Sequence, residues 1–207
     1  MGNSKTRRKA SRLRREQIQA KTLQALPVRS GPPRFIADVM LGKLAKWLRI
    51  AGYDVLYSNK YTDDELIAIS REQGRILLSL DSRLLVRKSV DFFIYLQPGT
   101  LEGQIRRILE LTNTVQIPAP FSRCLSCNEI LLKATRESVR ERIPEYVYKT
   151  HKNFKLCPTC GKIFWSGTHR KSVLKYLERL LPVYPGEPPV LREPSMDPVL
   201  DKQNPHY

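Results

Sequence analysis

Between Arg34 and Leu111, short apolar runs alternate with segments whose apolar residues recur at helical spacing. The run RFIA, residues 34–37, reads as a buried strand that ends at Asp38. Leu41 to Ala51 reads as a helix, with Leu44, Ala45, Leu48 and Ala51 on one face and Gly52 as its stop. Tyr53 to Ser58 is a second strand. Thr62-Asp63-Asp64-Glu65 has the T-x-x-E form of a capping box and opens a helix that runs to Gln73 and stops at Gly74. Arg75 to Leu80 is a third strand, ending at Asp81, and a short helix from Ser82 to Lys88 leads to a fourth strand over Val90 to Leu96. Pro98-Gly99 turns the chain into a closing helix, Leu101 to Leu111. Strict alternation of strand and helix predicts an α/β fold, a parallel sheet with helices on both faces.

The pattern changes twice more. Arg34 is preceded by a basic leader, residues 1–33, in which Arg7, Arg8, Lys9, Arg12, Arg14, Arg15 and Lys21 face a single acid, Glu16. Leu13, Leu23 and Leu26 are too sparse there for a stable amphipathic face, which predicts a disordered arm that turns helical on a polyanion. The α/β region, 34–117, closes before Pro118-Ala119-Pro120, and a second small domain follows over 118–181. The remaining residues, 182–207, carry seven prolines and no periodic apolar pattern, and read as an extended tail.

The four cysteines all fall in the second domain, as Cys124-Leu125-Ser126-Cys127 and Cys157-Pro158-Thr159-Cys160-Gly161. Each C-x2-C pair places two thiolates on one tight turn, and two such turns complete a tetrahedral zinc site with no open position. The spacing therefore predicts a zinc ribbon with a structural ion. The spacer between the pairs, residues 128–156, has room for a hairpin insert or a helix such as Glu137 to Arg142. Paired cysteines of this kind also point to a reducing, intracellular setting: cytoplasmic, or organellar or nuclear in a eukaryote.

Charge narrows the class of partner. With 36 Lys and Arg against 20 Asp and Glu, the chain carries +16 and a pI near 9.9, which favours polyanions. No stretch approaches the roughly 20 apolar residues that span a bilayer. RNA is the partner expected, with ribosomal and transfer RNA among the forms to consider. Around the cysteines, basic residues are interleaved with aromatic ones, a texture suited to unstacked bases. Trp165, His169 and Arg170 are the contacts selected there, while Phe154 and Phe164 are assigned to the small core.

The candidate chemistry follows from topology. Loops at the carboxyl ends of parallel strands share one edge, and ligands bind along it. Asp38 follows the first strand, Asp63 and Asp64 open the helix after the second, and Asp81 follows the third, so all four are expected on that edge. Converging carboxylates take a hard divalent cation, Mg²⁺ or Mn²⁺, able to activate water against a phosphodiester. Lys43, Lys46, Arg49, Arg83, Arg87 and Lys88 lie on the adjoining helices as candidate phosphate contacts. The same acids also suit plain helix caps, and position alone does not separate the two roles.

The segments FIADVMLGKLAKWLRIAGYDVLY, TDDELIAISREQGRILLSLDSRLL and RCLSCNEIL, with the later FKLCPTCGKIFWSGTHRKSV, resemble the RNase family named for the C-terminal domain of the Mut-seven exonuclease. The resemblance covers about residues 34 to 178. It implies a PIN-like nuclease domain followed by a zinc ribbon, and a metal-dependent ribonuclease activity. On that resemblance Asp38, Asp63, Asp64 and Asp81 take the acidic roles, with Asp38 and Asp81 as the Mg²⁺ or Mn²⁺ ligands. The chain departs from the pattern in two places. Leu80 stands where a polar or basic residue is expected, and neutral Gln97 follows the fourth strand where such nucleases often place another acid.

Overall fold

The computed structural model describes Arg12, Leu13, Ile18 and residues 31–87, 89–167 and 169–182. Most of the leader and nearly all of the proline-rich tail, for which an arm and an extended segment were expected, lie outside the described residues. The chain divides into two compact units, Met1–Ala45 with Val55–Asn113, and Lys46–Asp54 with Thr114–Tyr207.

The first unit is built on a four-stranded sheet of order β2-β1-β3-β4, made from β1 (Arg34–Ala37), β2 (Asp54–Tyr57), β3 (Ile76–Ser79) and β4 (Phe93–Tyr95). β3 runs parallel to both neighbours, with Ala37 opposite Leu78 and Ser79 opposite Tyr95. All residues of β3 are buried, as expected for a strand covered on both faces, whose apolar run is continuous rather than alternating. The sheet is flanked by α1 (Gly42–Ile50), α2 (Asp63–Gln73), α3 (Ser82–Leu85) and α4 (Leu101–Leu111). Its core joins Ile36, Leu77 and Phe93 of the strands to Leu66 and Ile67 of α2 and Leu84 and Leu85 of α3. Ile18 of the leader belongs to this cluster as well, a side chain that the sparse leucines around it gave no reason to single out.

Local rules set the ends of α2. The Thr62 hydroxyl accepts from the Glu65 amide at 3.3 Å, and the Glu65 carboxylate accepts from the Thr62 amide at 2.8 Å. Gly74 closes the helix in the left-handed conformation, φ 58°.

The second unit holds a three-stranded antiparallel sheet of order β5-β6-β7, from β5 (Leu132–Ala134), β6 (Phe154–Leu156) and β7 (Ile163–Trp165). Its helices are α5 (Arg136–Val139), α6 (Glu145–Thr150) and α7 (Arg170–Leu180), with a 3-10 turn at Arg140–Arg142. Strand periodicity divides the faces. Ala134, Phe154, Leu156, Ile163 and Trp165 pack with Val139 and Val147. Lys133, Lys155 and Phe164 occupy the other face, at matched register.

Candidate functional site

In a sheet of order β2-β1-β3-β4, the direction of strand addition reverses between β1 and β3. Crevices outside the carboxyl ends of strands form at such a switch point, and Asp38 and Asp81 follow the two strands that flank it. The Asp38 amide continues the ladder to Leu78 O at 3.0 Å, so the residue is held like a strand residue, with its side chain at the edge. Ser79 joins the two acids. Its hydroxyl donates to Asp38 Oδ2 at 2.6 Å and accepts from the Asp81 amide at 2.8 Å. Ser79 is wholly buried, and Asp38 is 6 % exposed. Asp81 is exposed and caps α3, its Oδ1 accepting from the Arg83 amide at 2.7 Å.

Asp63 and Asp64 are exposed on the first turn of α2, and Asp64 is engaged by Arg87 in a short ion pair. Among the described residues, the only group of three or more acidic, cysteine or histidine side chains close enough to share a metal is the cysteine cluster. The structure thus links Asp38 to Asp81 through Ser79 and holds Asp64 with an arginine. Oδ1 of Asp38 and Oδ2 of Asp81 have no hydrogen-bond partner among the described residues. That donor set fits magnesium, which keeps several waters and needs only one or two protein carboxylates beside substrate phosphate.

Two features of this edge carry no sequence motif. The Tyr57 hydroxyl, at the end of β2, donates to Val39 O at 3.0 Å and secures the turn after Asp38. A Cβ on Gly42 would lie 2.6 Å from that hydroxyl, so a larger residue there would push the tyrosine ring away from the start of α1. Beyond β4, a cleft of about 380 Å³ is lined by Gln97, Thr100, Gln104 and Arg107 with the Pro98-Gly99 turn. It borders the same edge, because the Leu96 amide bonds to Ser79 O at 2.9 Å. Of the predicted phosphate contacts, Lys43 and Arg83 are exposed, Lys46 is half-buried in the 46–54 segment of the second unit, Arg87 is the partner of Asp64, and Lys88 lies outside the described residues. Arg49 corrects the expectation. It is 3 % exposed, and its guanidinium donates to Leu125 O at 2.8 Å and Ser126 O at 3.1 Å, which leaves it no access to phosphate.

Those two carbonyls belong to the first cysteine turn. The two turns match bond for bond. In the first, the Cys124 amide bonds to Glu129 O at 2.8 Å and the Asn128 amide to Cys124 O at 2.9 Å. In the second, the Cys157 amide bonds to Lys162 O at 2.9 Å and the Gly161 amide to Cys157 O at 3.0 Å. Asn128 and Gly161 are both left-handed, at φ 69° and 70°. Asparagine tolerates that conformation, and here its side chain also donates to Asp54 Oδ1 at 2.7 Å.

The four sulfurs lie within 4.8 Å of one another, with Cys124–Cys160 at 3.5 Å and Cys127–Cys157 at 3.3 Å. A zinc–thiolate bond of about 2.3 Å sets tetrahedral neighbours about 3.8 Å apart, so the cluster is close enough to form a zinc site. Burial pushes the Cys124 and Cys127 thiols up from their ordinary value. Cys157 is also raised by burial, but amides of Cys160 and Thr159 and the Cys127 thiol outweigh this and bring it down. A metal entering such a set must displace protons, which couples its affinity to pH.

The contacts expected of the ribbon with RNA need revision. Trp165 is 5 % exposed and pairs across the strands with Phe154 inside the small core, so its ring is not offered to a base. Arg170 lies over the Phe121 ring, 5.3 Å from its centroid. His169 is exposed at the N-cap of α7 and makes no side-chain capping bond. No helix among the described residues is long and apolar enough to cross a membrane.

Comparison with known proteins gives no match among the curated proteins and none among the solved structures. Residues 33–177, more than half of the chain, match the family model described as Mut7-C RNAse domain. With a flanked parallel sheet and a four-cysteine cluster lying inside the matched stretch, the chain belongs to the Mut7-C RNAse domain family.

Proposed function

We propose that the protein is a metal-dependent ribonuclease that hydrolyses phosphodiester bonds of single-stranded RNA at the switch point between β1 and β3. The observation that carries this reading is the Ser79 hydroxyl, which binds the Asp38 carboxylate and the Asp81 backbone together. Asp38 and Asp81 would hold a magnesium or manganese ion through their remaining oxygens. Such an ion supplies Lewis acidity, activating water and offsetting the charge that develops on phosphate. Ser79 keeps Asp38 in one rotamer, and the cap on α3 does the same for Asp81. Lys43 and Arg83 would hold neighbouring phosphates. Arg87 is the group that a phosphate would draw away from Asp64, freeing that acid, with Asp63 beside it, to orient water. Val39 and Met40 are 39 % and 69 % exposed directly after Asp38, and offer apolar surface to bases that are not stacked in a duplex. The cysteine cluster would hold a structural zinc, since four thiolates leave no position for substrate.

The Asp38→Asn variant tests the reading. Asparagine retains shape and the bond to Ser79 but removes the charge. Cleavage of a labelled panel that includes ribosomal and transfer RNAs should fall below detection with Mn²⁺ present, while RNA binding persists. Undiminished turnover in the purified variant overturns the assignment.

One observation favours a second reading, a non-catalytic RNA-binding factor on the same fold. The Asp64–Arg87 pair takes a third acid out of the edge. Salt-sensitive RNA binding by the wild type, with no turnover on any member of the panel at any Mn²⁺ concentration, would select it.

A further inference from the structure

The cleft beyond β4 has a size and a chemistry that the acidic edge does not use. Thr100, Gly103, Gln104 and Arg107 recur at helical spacing and turn one face of α4 and its cap toward it, while Ile105, Ile108 and Leu109 go to the core. Gln97, the neutral residue after β4, faces them from the loop. Among the described residues the lining holds no acid and no lysine. Its one cation, Arg107, lies 3.9 Å from Glu110 on the same helix. The start of α4 is capped from within, Thr100 Oγ1 accepting from the Gly103 amide at 3.1 Å. With the guanidinium drawn to a carboxylate and the helix start capped, the cleft is set for a neutral ligand.

The cleft offers amides. The Gln97 side chain has no hydrogen-bond partner among the described residues, and Gln104 Nε2 makes one long bond, 3.4 Å, to Gln97 O. Each side-chain amide sets donors beside an acceptor. Gly103 keeps the helix face bare although glycine is a poor helix former. A Cβ there would meet Thr100 Oγ1 at 3.3 Å and no other side chain within 4 Å, so packing within the protein does not demand the gap. At about 380 Å³ the cleft falls in the range of small-ligand sites, which begin at about 300 Å³. Bases of unstacked RNA are read on their Watson–Crick and Hoogsteen edges. Adenine alone sets a donor beside an acceptor on both, because its N6 amino group stands between N1 and N7. Guanine O6 stands beside N7, two acceptors together, and cytosine and uracil carry a carbon at the matching place. Two glutamines can therefore grip adenine on both edges, and the pairing of glutamine with N6 and N7 is a good bidentate match.

We propose that this cleft is the base-recognition subsite of the acidic edge and takes an adenine of single-stranded RNA between the amides of Gln97 and Gln104. That the adenine belongs to RNA rests on the ribonuclease reading. The subsite adjoins the acids through the backbone, since the Leu96 amide bonds to the carbonyl of Ser79, whose hydroxyl holds Asp38. Phosphate contacts position a strand without specifying it, so the choice of cleavage position falls to this cleft.

The test uses full-length, zinc-loaded protein carrying Asp38→Asn, in buffer free of Mg²⁺ and Mn²⁺, so that RNA stays intact. The probes are fluorescein-labelled oligouridylates that differ at one central position, A, G, C or U, followed by anisotropy. The adenosine probe should bind on the order of tenfold tighter than the other three, the scale of one good bidentate base contact. Gln97→Ala with Gln104→Ala should bring all four probes to one affinity, and Gly103→Leu, which fills the cleft, should do the same. Gln97 is exposed in a loop, so Gln97→Ala alone should fold and lower the adenosine preference even if a thermal midpoint shows either of the others to be impaired. Equal affinity for the four probes in the parent protein overturns the proposal, as does a guanosine preference, or an adenosine preference that survives the glutamine variants. Adenosine monophosphate binding as tightly as the adenosine probe overturns the choice of RNA over a free nucleotide. The two readings fail separately. Persistent cleavage by Asp38→Asn in Mn²⁺, with an adenosine preference that the glutamine variants remove, ends the catalytic assignment and leaves the cleft. Cleavage lost in Asp38→Asn, with no base preference in any protein, ends the cleft alone.

Discussion

The cysteine cluster, which could hold a metal ion, and the acidic edge, for which we propose one, are assembled by opposite means. Each cysteine turn brings two ligands within four residues and fixes them with the same pair of backbone hydrogen bonds, so only the meeting of two turns depends on distant contacts. At the edge, Asp38 and Asp81 follow different strands, and the pairing of β1 with β3 brings them to a shared serine. The carboxylates are instead managed with neutral and cationic neighbours: Asp38 by a serine hydroxyl, Asp81 by a helix N-terminus, Asp64 by Arg87. A site made from local turns has its ligands fixed in pairs, and an ion would tie the two turns together. One drawn from several elements gives each carboxylate its own protein partner.

The largest effect should come from the cysteine site. Structural zinc sites contribute on the order of 10 kcal/mol to the folding of small domains. Cys124→Ser with Cys157→Ser, or a strong chelator, should therefore abolish ordered structure around both turns, read as loss of amide dispersion for residues 121–165. The Ser79–Asp38 bond runs through β1 and β3 alone and should persist in the same spectra. Intact dispersion without metal would show that the two turns hold each other without an ion.

Next in size is Arg49. Its removal leaves the carbonyls of Leu125 and Ser126 without their buried donor, at about 1–3 kcal/mol for each unsatisfied group. Arg49→Met should lower stability by about 3 kcal/mol in denaturant titration, and should weaken zinc retention against a competing chelator. A change under about 0.5 kcal/mol, the range of neutral surface substitutions, would show that the first turn holds itself.

How much of this was legible in the chain follows the same division. The C-x2-C spacing announced the cysteine site because its geometry is local. RFIA, the capping box at Thr62 and the helix over Leu101–Leu111 were equally plain, each resting on residues a few positions apart. Ser79 was passed over, although a lone hydroxyl ending the run ILLS is the signal that would have found it. Asn128 was missed too, standing at the same offset from its cysteines as Gly161. Trp165 was misread because flanking charge was weighed above strand alternation, which puts it on the same face as Ile163. Arg49 follows the same lesson from the other side. A cation on a helix near the acids is assigned to phosphate by proximity in sequence, while its carbonyl partners lie 76 and 77 residues away.

Ser79→Ala tests the acidic edge directly. It removes a buried hydrogen bond to a carboxylate, worth about 1.5–3 kcal/mol, and groups that orient metal ligands typically change metal affinity or activity by about 10–100-fold. The expected signature is a raised Mn²⁺ requirement for cleavage, with RNA affinity in metal-free buffer unchanged. Ser79→Thr, which retains a hydroxyl, should recover part of the loss. Equal metal titrations for all three proteins would show that Asp38 is positioned by the backbone alone.

The smallest effect belongs to the cap that presents Asp63 and Asp64. Hydrogen bonds from the Thr62 amide and hydroxyl hold the Glu65 carboxyl below its ordinary value. A group with a depressed folded-state pKa stabilises above its unfolded pKa, and that contribution is lost as pH falls through the lowered one. The wild type should therefore lose this increment only in the acid range. Thr62→Ala, at about 1 kcal/mol for a lost N-cap, should be less stable at neutral pH and converge toward the wild type as Glu65 is protonated. The gap between the two is read from thermal midpoints at neutral and acid pH. A gap that stays constant across that range would show that the threonine hydroxyl caps α2 without the reciprocal carboxylate. The two acids it displays would then be positioned by the helix start alone.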